Sequence, residues 1–128
     1  MDNFYEIHDL TKAYLGDAVY SMYVRSYIVK DNKKVRVKDA HPLGTTYEKA
    51  TSQSKALEYL TEHILKDEEK DIVRRAKNKK SQTKAKNATS KEYNNATGLE
   101  ALVGVLYLNE DFERLDEIFE IIMRGEYL

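Results

Sequence analysis

A chain of 128 residues with no cysteine, one proline and five glycines excludes a disulfide scaffold, a thiolate zinc centre and a many-turned β fold. Its 41% apolar and 34% charged residues are those of one helix-rich globular domain, 1–128, large enough for a real core. The net charge of −1 conceals an asymmetry, because residues 74–91 hold eight Lys and Arg and no acid, leaving 13 basic against 22 acidic residues elsewhere.

The N-terminus MDNFYEIHDL lacks a basic-then-apolar leader pattern, and no run approaches the ~18 apolar residues of a membrane span. The expected setting is therefore the cytoplasm, without a membrane partner. Residues 9–30 have helical spacing, with Leu10, Tyr14, Ala18 and Met22 on one stripe beside Tyr20, Val24, Tyr27 and Ile28. Asp9 is the expected N-cap and Asp31-Asn32 the stop. Gly16 sits inside this helix at a cost of ~1 kcal/mol relative to alanine, which implies close packing on another backbone.

Residues 35–41 read as a short helix or turn ended by Pro42, and a second long helix is expected from Thr45 or Thr46 to about Leu65. Asp67 opens a further helix, acidic in its first turn and basic in its last, as the macrodipole favours. Ser81 to about Tyr93 has no apolar period and reads as a mobile basic loop. Helices over about 94–108 and over 111–124 complete the chain. The expected fold class is all-α, with five to seven helices.

Two apolar stretches each carry a single acid: Asp17 in AYLGDAVYSMYV (13–24) and Glu100 in GLEALVGVLYL (98–108). Acids are almost never buried unless paired, protonated or bound to a metal. If the two helices pack through these faces, the carboxylates meet, and such a pair with room for water suits Mg²⁺. Gly104, one turn after Glu100, permits the approach. Zinc is not indicated, because His8, His41 and His63 show no ligand spacing. Two plainer readings stay open: Asp17 pairs with Arg25 or Lys12, and Glu100 simply occupies the first turn of its helix. Likewise Tyr20, Tyr23, Val24 and Tyr27 suit either core or interface, with core favoured.

The segment RRAKNKKSQTKAKN (74–87) offers Arg74, Arg75, Lys77, Lys79, Lys80, Lys84 and Lys86 to phosphates, with Asn78, Ser81, Gln82 and Thr83 as hydrogen-bonding groups. The plain reading is a solvated lysine-rich loop.

YLGDAVYSMYVR (14–25) resembles the signature helix of the ribonuclease III family, whose Leu-Gly-Asp triplet carries a metal-binding aspartate. ATGLEALVGVLYL (96–108) resembles that family's second acidic helix, and the 74–87 segment resembles the basic Arg-x-x-x-Asn-x-Lys-Ser stretch of its compact branch, the Mini-ribonucleases III. Together these cover about residues 9–124. The resemblance implies a helical nuclease domain and a Mg²⁺-dependent endoribonuclease (Mn²⁺ substituting) that hydrolyses double-stranded RNA to 5′-phosphate ends.

It assigns Asp17 and Glu100 as the catalytic and metal-binding acids, and Arg74, Arg75, Lys77, Asn78, Lys79, Lys80, Ser81, Lys84 and Lys86 as the RNA-binding residues. It further implies a two-fold homodimer, precursor 23S ribosomal RNA as the substrate of maturation, and leaves open the help of a ribosomal protein. The larger family has further acids where this chain has Leu10, Ala13 and Thr97, and another in the region of His41. Since the sequence stops at Leu128, the double-stranded-RNA-binding domain of that larger family is not expected. The competing expectation is a helical module that binds duplex RNA without cutting it.

Overall fold

The computed structural model describes residues 4–79 and 89–128 and is all-α. After a short 3-10 turn at Phe4–Glu6 come α1 (Asp9–Asp31), α2 (Val37–Glu48), α3 (Ala50–His63), α4 (Asp67–Lys77), α5 (Ser90–Leu108) and α6 (Phe112–Arg124). Helix α5 is buried over most of its length from Asn95 to Leu106 and forms the axis of the molecule, packing most extensively on α1 and then on α3 and α4. No described helix is long and apolar enough to cross a membrane.

Four boundaries differ from the sequence expectation. The N-cap of α1 is His8, and Asp9 is the first helical residue, where its carboxylate receives Lys12 Nζ at 3.3 Å. Pro42 lies inside α2 and does not end it. Proline removes its own amide donor and its ring crowds the carbonyl four residues back, which here belongs to Lys38, exposed on the first turns of this helix where that carbonyl can turn to water. The long helix expected from Thr45 to Leu65 is two helices. Lys49, extended at φ −66° and ψ 151°, both closes α2 and opens α3. Finally α5 starts at Ser90 because Thr89 and Glu92 form a capping box: Glu92 N donates to Thr89 Oγ1 at 3.1 Å and Thr89 N to Glu92 Oε1 at 2.8 Å. That Thr-x-x-Glu pattern is a start signal in its own right.

The core settles the tyrosine question for most of that face. Tyr20 and Val24 are fully buried, and Phe119 of α6 takes Tyr20 edge-on at 4.9 Å and Tyr23 stacked at 4.7 Å. Tyr27 is half-buried against the same cluster. What α1 leaves exposed is the other stripe, including Leu10, Tyr14, Met22 and Val29.

A buried ion pair ties α4 to α6. Arg114 donates from Nε and from Nη2 to the two oxygens of Glu69 at 2.9 and 2.8 Å, and Nη2 also reaches Ile64 O at 2.8 Å. Burial alone would raise the Glu69 pKa, but the hydrogen bonds from Arg114 and the Lys66 amide outweigh it and hold the carboxyl below its usual value. A depressed acid stabilises the fold above its unfolded pKa near ~4.3 and loses that contribution as pH falls through the folded value. Glu69→Gln is therefore expected to cost about 2 kcal/mol at pH 7, the worth of hydrogen bonds to a charged group. Urea titrations between pH 7 and pH 3 check this, since the variant should lose less stability than the parent over that range.

Candidate active site

The site begins with two glycines. A Cβ on Gly16 would lie 1.6 Å from Glu100 O, and one on Gly104 would lie 2.2 Å from Lys12 O. Helices α1 and α5 thus touch backbone to backbone, nearer than any side chain allows, and the contact sets Asp17 beside Glu100. Beneath them, Asn95 Nδ2 of α5 donates to Ser54 Oγ of α3 at 2.9 Å.

Asp17 and Glu100 line one cleft of about 400 Å³, together with Leu10, Ala13, Tyr14, Glu48, Ala50, Gln53, Tyr93, Ala96 and Thr97. Asp17 is exposed and Glu100 is half-buried. Burial first, then hydrogen bonding and charge from Asp17, push the Glu100 carboxyl up to about 9, against a smaller opposing effect from Gln53. Gln53 Nε2 is 3.5 Å from Glu100 Oε2, a long contact. Two carboxyl groups this close cannot both ionise at neutral pH without a cation. Among the described residues neither of them has a Lys or Arg in ion-pair range: Lys12 is taken by Asp9, and Arg25 forms no bridge to Asp17. Both plainer readings of the acids therefore fail, and Glu100 lies in the middle of α5, three turns from its start.

The donor set fits a hard divalent ion. It supplies carboxylate oxygens and a carboxamide, and no group of three or more His, Cys, Asp or Glu gathers among the described residues. A two-carboxylate site leaves the remaining positions to water and phosphate, the habit of Mg²⁺ rather than of a caged Ca²⁺ or Zn²⁺.

Leu10, Ala13 and Thr97, the positions at which the resemblance implies further acids in the larger family, all line this cleft and carry no charge. His41 does not: it lines the neighbouring groove between α1 and α2. Thr97 Oγ1 is turned back to Tyr93 O at 3.0 Å. Sequence reasoning passes over Glu48, Gln53 and Tyr93. Helical spacing offers Tyr93, two turns before Glu100 on α5, but not Glu48 or Gln53, because α2 and α3 reach the cleft only through the bend at Lys49.

The basic residues diverge. Arg74 and Arg75 both bridge to Asp71, at 2.5 and 3.6 Å, so their charge is partly met on α4 itself. Lys77 is half-buried against α5, near Gly98. The amide of Asn78 caps α4 through Arg74 O and Ala76 O, and Lys79, 56% exposed, lies 3.9 Å from Asp9 at the start of α1. Lys80, Ser81, Lys84 and Lys86 lie outside the described residues. The expected loop over 81–93 is shortened at its end, since 90–93 is helical.

Known proteins show the family and the fold. The sequence profile of the Ribonuclease III domain matches residues 11–111. Mini-ribonuclease 3 of Thermoanaerobacter sp. is 45% identical over 112 residues, covering 88% of this chain and 78% of the relative. The Mini-ribonucleases 3 of Symbiobacterium thermophilum (43%, covering 91% of this chain and 92% of the relative) and Staphylococcus aureus (42%, 91% and 87%) are similar over comparable spans. A crystal structure of a Fusobacterium nucleatum protein superposes with a TM-score of 0.84 at 28% identity, covering 98% of this chain and all of that one. With the acid cleft, the glycine-tight α1–α5 contact and these relatives together, the chain belongs to the ribonuclease III family of endoribonucleases, on its Mini-ribonuclease 3 branch.

Proposed function

We propose that this chain is a Mg²⁺-dependent endoribonuclease that cuts double-stranded RNA, with precursor 23S ribosomal RNA as its substrate in maturation of the large subunit. The observation that carries the reading is the Asp17–Glu100 pair, two acids held together at an energetic cost that a divalent cation removes. Asp17 and Glu100 hold the ion, and Gln53 orients Glu100. When bound, a divalent cation supplies Lewis-acid activation of water and neutralises charge gathering on the scissile phosphate. Exposed Asp17 meets the substrate side, while half-buried Glu100 anchors the site to the core.

A-form duplexes are read by shape and backbone contacts, a task for charge rather than for base-reading side chains. Lys79 beside the start of α1, and the lysines that follow it in the sequence, supply that charge. Reversing Lys79, Lys80 and Lys84 to Glu should weaken duplex binding and flatten its salt dependence by about 0.7–0.9 for each phosphate no longer neutralised. The melting temperature should stay within about 2 °C. Filter binding at several salt concentrations checks it, and an unaltered slope would place the RNA surface elsewhere.

One cleft cuts one strand, so a double cut needs two clefts on one duplex. The exposed stripe of Leu10, Tyr14, Met22 and Val29 beside the cleft supports a homodimer built on this face, in place of the tyrosines that the core has taken. Sedimentation giving a ~15 kDa species at working concentration would count against it.

The deciding experiment incubates labelled duplex RNA with the protein in Mg²⁺ and in EDTA. Cleavage to 5′-phosphate products in Mg²⁺ alone is expected. Binding under both conditions with cleavage in neither would establish the non-catalytic module instead.

A further inference from the structure

Glu48 ends α2 in the turn where the helix dipole disfavours an acid. It lines the wall between the cleft of Asp17 and Glu100 and the neighbouring groove, and its carboxylate accepts a hydrogen bond from Ser21 Oγ of α1. Ser21 lies one turn after Asp17 on α1, so a single helix face holds one acid and anchors the other. Space is cleared for the group as well, because a Cβ on Gly44, one turn earlier on α2, would lie 3.0 Å from Glu48 Oε2. The bend at Lys49 immediately follows, and it is what brings the end of α2 over the cleft.

The buried hydroxyl of Tyr20 reports the same convergence. Its pKa is pushed up by burial first and then by the charges of Tyr127, Glu100 and Glu48. Meanwhile the cleft positions Leu10, Ala13 and Thr97 carry no charge at all.

We propose that Glu48 is a third acid of the active site, a positioning residue held by Ser21, which strengthens divalent-cation binding from outside the ion's own ligands. This rests on the reading of Asp17 and Glu100 as those ligands. Glu48 does not complete a cage, since no three acids gather to metal-binding distance among the described residues. Its negative charge would instead favour a hydrated divalent cation held by Asp17 and Glu100. Partners in this outer position typically change metal affinity by 10–100-fold.

The test measures Mn²⁺ binding to the RNA-free protein from the electron paramagnetic resonance signal of the free ion, with Mg²⁺ as competitor. Glu48→Gln should weaken binding about tenfold, while its melting temperature in EDTA stays at or above that of the parent. The Mg²⁺ concentration for half-maximal cleavage should rise by the same factor. Ser21→Ala, which keeps the charge and removes its anchor, should weaken binding by a smaller factor. Should Glu48→Gln fail to fold, Ser21→Ala decides alone: weakened binding supports the role and unchanged binding ends it. Parent-like affinity in folded Glu48→Gln, with binding abolished in Asp17→Asn, would overturn the role of Glu48 and leave the acid pair standing. Retention of Mn²⁺ by Asp17→Asn would bring down the ligand assignment and the inference with it.

Discussion

Asp17→Asn and Glu100→Gln are each expected to slow cleavage of duplex RNA in Mg²⁺ by more than about 10³-fold while leaving the fold intact. Lewis-acid assistance is worth several kcal/mol, and each 1.36 kcal/mol is a tenfold change in rate. The stability change should run the opposite way to the activity change. Glu100 sits half-buried beside a second carboxylate, with a pKa pushed up to about 9 by burial first and Asp17 second. A glutamine there keeps the shape and has no charge to desolvate. Glu100→Gln should therefore melt at or above the parent in EDTA, by up to about 2 kcal/mol at neutral pH. Initial rates on an end-labelled duplex, paired with thermal melts in EDTA, measure both effects. Parent-like rates in folded variants would remove these acids from the chemistry.

Gly16→Ala is expected to be the most damaging single-methyl change in the molecule. The added carbon would lie 1.6 Å from Glu100 O, 2.5 Å from Glu100 C and 3.0 Å from Gly104 N, all of them backbone atoms. Side-chain rotation cannot relieve clashes of that kind, so α1 and α5 must separate. Overpacking a core typically costs 1–3 kcal/mol, and here the penalty should exceed about 3 kcal/mol because the principal helix pairing of the fold is opened. For a chain of this size that is a fall of roughly 10 °C in melting temperature. The same movement shifts Asp17 against Glu100, so any folded fraction should also cleave poorly. Gly44→Ala is the contrast, since its nearest neighbour at 3.0 Å is the flexible end of Glu48 and alanine favours a helix. Chemical denaturation of both variants checks the pair, and a Gly16→Ala protein as stable as Gly44→Ala would refute the close-approach account.

How much of the molecule is legible in its sequence follows from the range of each interaction. The apolar spacing of 9–30, the acidic opening at Asp67 and the amphipathic 111–124 are local patterns, and α1, α4 and α6 follow them to within a residue or so at most ends. Gly16 and Gly104 are readable because a helical glycine without a close neighbour is a pure cost. Asp17 and Glu100 are readable because a lone acid in an apolar stretch needs an explanation. The start of α5 is legible too, in the Thr89–Glu92 capping box, but the lysine run before it obscures the signal.

By itself, then, the sequence determined the fold class, the two helices that carry the acids and the glycines that let them touch. Tertiary structure alone decided the rest. The bend at Lys49 has no glycine or proline to announce it, and it is what carries Glu48 and Gln53 into the cleft. Phe119 selected which face of α1 became core and which stayed exposed. The reason is common to the bend and the core face: a helix pattern encodes which residues share a face, whereas the neighbour that face meets depends on elements far apart in the chain. For Arg74 and Arg75, spacing offers Asp71 as a partner, and only the folded side chains show that both accept it.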